Sequence, residues 1–126
     1  MRLVLAVFVW GLCVSAALAA PTKKDAAAFV KEVEAAVKAN SKALANGPAA
    51  VGKHNQWYKA LQAKADVLFV DADPCSAASS AANSMWSTQL QYHIRPDQLG
   101  YKFNQRREED YQDNMKLCKE SLRHFK

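Results

Sequence analysis

Glycine and proline are scarce in this chain, four of each among 126 residues, and that scarcity limits the fold more than any other feature. Tight β-turns depend on residues that accept positive φ or hold φ fixed, so an all-β sandwich would need far more of them. Collagen-like and Pro/Gly-rich disordered chains are excluded by the same count. Half of the residues are hydrophobic, but alanine supplies many of these, so the core must rest on relatively few large side chains packed closely. Helices satisfy both conditions.

Arg2 is followed by an unbroken apolar run from Leu3 to Val14, then by Ser15, Ala16, Ala17, Leu18 and Ala19. This order, with Ala17 and Ala19 in an A-x-A pattern, predicts a signal peptide over 1–19, cut after Ala19. The run is too short to span a bilayer core of about 30 Å. Cys13 lies in mid-run after Leu12 rather than after a small residue, so lipidation is not expected. The remaining 20–126 form one domain by length, exported to the periplasm or secreted.

Four helices are expected. Thr22 and Asp25 resemble a capping box ahead of a Pro- and Gly-free run from Lys23 to Ala45. Val30, Val33, Val37 and Leu44 repeat there at helical spacing, interrupted by Asn40 and flanked by Phe29. Asn46, Gly47 and Pro48 form a stop. Val51, His54, Tyr58, Leu61, Ala65 and Leu68 mark a second helix from about Ala49 to Val70. Asp73 can cap a third, with Pro74 in its first turn, running to about Ile94. Its beginning is rich in Ala and Ser, thin enough to sit against bulky partners such as Leu122 or Phe125. Arg95 before Pro96 ends it. After a connector from Asp97 to Phe103, a last helix from about Asn104 carries Tyr111, Met115, Cys118, Leu122 and Phe125 on one face. The fold class is therefore all-α, an antiparallel up-down-up-down four-helix bundle.

Loss of Cys13 with the leader leaves Cys75 and Cys118, an even number in a compartment where disulfides persist. In an antiparallel hairpin of the last two helices these positions face one another about a turn centred near Pro96. A structural disulfide is expected, since no C-x-x-C spacing suggests redox chemistry.

No catalytic or metal-binding constellation emerges. The three histidines are dispersed, Glu-x-x-His and C-x-x-C-H are absent, and no G-x-S-x-G turn presents a serine. His54, on the apolar stripe, reads as a hydrogen-bonded core residue. Glu108, Glu109 and Asp110 follow Arg106 and Arg107 and read as charge compensation. No cofactor is expected. Haem held between helices would have to use Met85, Met115, His93 or His124, and a cavity lined by Trp86, Met85 and Met115 would favour such a site.

Charge is uneven. The chain carries 17 Lys and Arg against 12 Asp and Glu, a formal +5, and removal of Arg2 lowers this to +4. Between Ala20 and Lys64 there are eight lysines and three acids. Lys23, Lys24, Lys31, Lys38 and Lys42 offer a surface for anionic wall or lipid material, whereas nucleic acid is not an expected partner of an exported chain. The Tyr92–Arg107 stretch joins Tyr92, Tyr101 and Phe103 to Arg95, Arg106 and Arg107, residue types that anchor interfaces. By elimination the chain is expected to be a non-enzymatic binding protein with an envelope or extracellular protein partner, for example an inhibitor or immunity-type protein. The alternative is a small-ligand or haem-binding bundle.

Overall fold

The computed structural model describes residues 21–70, 73–97 and 100–125, so the expected signal peptide over 1–19 lies outside the described residues. Four α-helices account for nearly all of them: α1 Lys23–Ala45, α2 Pro48–Leu68, α3 Pro74–Ile94 and α4 Tyr101–Leu122. There is no strand among the described residues, and the all-α reading holds. None of these helices is long and apolar enough to cross a membrane.

Local chemistry sets the boundaries. Thr22 accepts from the Asp25 backbone N–H while the Asp25 carboxylate accepts from Thr22 N, a complete capping box. These bonds to the ionised form hold the Asp25 pKa below the ordinary carboxylate value. α1 stops at Asn46, and Gly47 adopts φ +88°, a conformation open to glycine and costly for residues with a Cβ. Pro48 then opens α2, one residue earlier than the sequence suggests, because a first-turn proline forfeits no helical hydrogen bond. Phe69 is already extended, so α2 ends short of Val70. Asp73 caps α3 through its bond from Cys75 N, 2.7 Å.

The larger difference is at α4. It begins at Tyr101, with Phe103 N bonded to Gly100 O, rather than at about Asn104. Tyr101 and Phe103 are therefore helical, not part of an irregular connector.

One apolar cluster draws on all four helices, including Phe29, Val30 and Val33 from α1, Tyr58 and Leu61 from α2, Met85 and Trp86 from α3, and Tyr111, Met115 and Cys118 from α4. α3 packs on each of the other helices, while α4 rests chiefly on α3 and touches α1 more sparsely. The sulfurs of Cys75 and Cys118 stand at disulfide distance with Cα atoms 4.4 Å apart, as their spacing predicts. Such a bridge fits an oxidising compartment. Phe125 meets Phe69, at the end of α2, edge-on at 6.4 Å, and Cys75 Sγ on the first turn of α3 lies 3.8 Å from Ser121 Oγ of α4.

Candidate functional site

Two arrangements stand out, one inside the bundle and one at the end of the α3–α4 pair. The internal one is built on Asn40, only 3% exposed. Its Oδ1 lies 2.7 Å from His54 Nε2 and accepts from Tyr58 Oη at 2.9 Å, while its Nδ2 donates to Gln89 Oε1 at 3.0 Å. An amide oxygen only accepts, so Nε2 carries the proton. The His54 ring is enclosed edge-on by Trp57, Tyr58 and Trp86 at 5.6, 5.2 and 4.5 Å. Burial lowers the His54 pKa and raises that of Tyr58. Trp86 Nε1 donates to Asn55 Oδ1 at 2.7 Å. A satisfied hydrogen-bond network of this kind ties α1, α2 and α3 in one register. His54 is thus the bonded core residue its position suggests, and the Asn40 interruption of the α1 stripe was the signal of the network.

At the other place, the interface residues divide. Tyr92 is half-buried and lines a cleft of about 440 Å³ with Leu44, Gln89, His93, Pro96 and Asn104. The Arg107 guanidinium lies 5.0 Å over the Phe103 ring, and its Nη1 is 4.0 Å from Asp110 Oδ2. Phe103 is 41% exposed and Ile94, on the last turn of α3, 65%. Asn104 Oδ1 and Arg107 Nε are buried without a hydrogen-bond partner among the described residues. Arg95 and Arg106 are exposed. Tyr101 occupies the first position of α4, and its side chain lies outside the described residues. The structure thus brings Phe103, Asn104 and Arg107 together on the first turns of α4, with Tyr92 in a cleft that Asn104 also lines.

The haem candidates do not converge. Met85 and Met115 are buried in the apolar cluster, His93 and His124 are exposed, and none of the clefts described is lined by Met85 or Trp86. Among the described residues no group of three or more His, Cys, Asp or Glu is placed to hold a metal ion.

The chain matches no family model, no curated protein and no solved structure.

Proposed function

We propose that this is an exported, non-enzymatic binding protein, an up-down-up-down bundle that acts through a protein partner docked on the α3–α4 end, as an inhibitor or immunity-type protein would. Opposed contacts support the helix directions: Phe29 meets Phe69, Glu32 pairs with Lys64, and Asn40 bonds Tyr58, so α2 descends as α1 ascends. The Cys75–Cys118 bridge and the sequence pattern over 1–19 support export. The observation that carries the docking surface is Arg107. Its guanidinium lies 5.0 Å over the Phe103 ring, which is still 41% exposed, so an arginine and an aromatic, the residue types that anchor interfaces, are held together on one surface.

The test is capture from an envelope extract with the exported chain beside a Phe103→Asp, Arg106→Glu double variant. Both positions are exposed, so the variant should keep its helical circular dichroism. A protein retained by the parent and lost by the variant supports the reading; identical captures by both refute it.

A further inference from the structure

The lysines of α1 are ordered. Lys24, Lys31, Lys38 and Lys42 recur at intervals of seven, seven and four, which places them on one ridge about 27 Å long. All four are exposed, on the side of α1 opposite its buried Val33, Ala36 and Asn40. Every acid of α1 is committed elsewhere: Asp25 to the Thr22 cap, Glu32 to Lys64 and Glu34 to Lys119. Asp66, the acid of α2, accepts from Gln62. No ridge lysine forms a salt bridge with these acids, and the ridge is positive from Lys31 to Lys42, while the ionised Asp25 beside Lys24 offsets the charge at its first turn.

Across the seam, α2 extends the charge and adds grease. Lys53 faces Lys42 over a shallow groove floored by Ala39, Ala43 and Ala50 and walled by half-buried Trp57. Further along the same seam, Val67 is 71% exposed on a groove of about 520 Å³ whose apolar lining of Ala28, Phe29, Ala63 and Leu68 is rimmed by Asp25 and the Glu32–Lys64 ion pair.

We infer that this outer α1–α2 face rests on a lipid bilayer rich in anionic headgroups, a role separate from the docking end proposed above. Residue type favours lipid over a protein. Between Lys23 and Lys64 every base is lysine, whereas Arg95, Arg106 and Arg107 cluster around the α3–α4 turn. Lysine is a compact, hydrated point charge suited to a diffuse surface potential, and it is depleted in protein interfaces where the arginine fork is enriched. The exposed valine and the indole edge favour lipid over a soluble anionic polymer, because only a bilayer offers an apolar phase beneath its charges. The face lies on the membrane and does not span it, in keeping with the polar composition of α1.

Co-sedimentation of the exported chain with vesicles of phosphatidylcholine alone, or of phosphatidylcholine mixed with phosphatidylglycerol, tests this. Partition should occur on the mixed vesicles, fall with added salt, and be absent on phosphatidylcholine. Each lysine near such a surface contributes on the order of fivefold, so Lys31→Gln with Lys38→Gln should weaken partition about 30-fold. Brominated acyl chains should quench tryptophan emission in the parent and not in Trp57→Phe, since Trp86 is enclosed. Failure to partition at low ionic strength overturns the inference. So does equal retention by soluble polyphosphate with no acyl-chain quenching, which would make the ridge a site for ionic polymers.

Discussion

Asn40 stands where the spacing of α1 calls for a hydrocarbon, and the structure turns that break in the pattern into the junction of three helices. Asn40→Ala removes the acceptor shared by Tyr58 and His54 and strands both donors in the interior. At about 1–3 kcal/mol for each unsatisfied group, the expected loss is about 3 kcal/mol in urea unfolding. Tyr58→Phe, which leaves the His54 bond in place, should cost about 1 kcal/mol. Equal losses for the two would mean that Asn40 is not the shared acceptor. The same site sets a pH dependence. Burial lowers the folded His54 pKa, while in the unfolded chain it returns to about 6.5. Between those values the unfolded state binds more protons, so stability rises with pH there. The contribution is complete above about pH 6.5 and is lost as pH falls below it toward the folded value. His54→Gln should flatten that part of a melting-temperature profile, and superimposable profiles would sink the assignment.

At the scale of elements, the bond between Cys75 at the start of α3 and Cys118 near the end of α4 closes a loop with a sequence separation of 43. Loop entropy puts its contribution at about 4 kcal/mol, so Cys118→Ser should lower the melting temperature sharply; an unchanged melting point would refute the bracing. Ala82 is fully buried, and Ala82→Leu should overpack α3 by about 1–3 kcal/mol in calorimetry. Both expectations were legible in the sequence, as were the starts of α1 and α3, because Thr22, Asp73 and Pro74 act through local hydrogen bonds and fixed dihedrals. The first turn of α4 was not legible. Gly100 supplies no side-chain cap, and from Lys102 to Asp110 no apolar side chain is buried, so neither a cap nor an apolar repeat announces the helix. The partnership of Asn40 with Gln89 was likewise out of reach, since it depends on how α1 meets α3 and not on spacing along either.

Across the whole molecule, the four helices share one core but not equally. α1, α2 and α3 are joined by the Asn40 network and by the packing of Trp86 against His54 and Tyr58. α4 buries Tyr111, Met115 and Cys118 and leans mainly on α3. Tyr111 is enclosed enough, with Glu34 nearby, for its pKa to be pushed up to about 12, yet Lys119–Glu34 is the ion pair that ties α4 to α1, and exposed pairs of this kind contribute little. The bridge to Cys75 therefore fastens α4 to α3 alongside the most extensive helix-to-helix packing among the described residues, while the hold of α4 on α1 is slight. With the bridge intact, helical circular dichroism and Trp86 emission should report one coincident unfolding transition, since a single cluster unites all four helices. In Cys118→Ser the restraint on α4 is gone while the indole of Trp86 keeps its bond to Asn55 on α2. Helical signal should then fall ahead of Trp86 emission, by roughly the share of helix that α4 contributes, as α4 frays from a surviving three-helix unit. To keep the emission specific to Trp86, the measurement belongs in a Trp57→Phe background. Coincident transitions in the variant would show instead that the apolar contacts of Tyr111 and Met115 suffice to hold α4 within one cooperative unit.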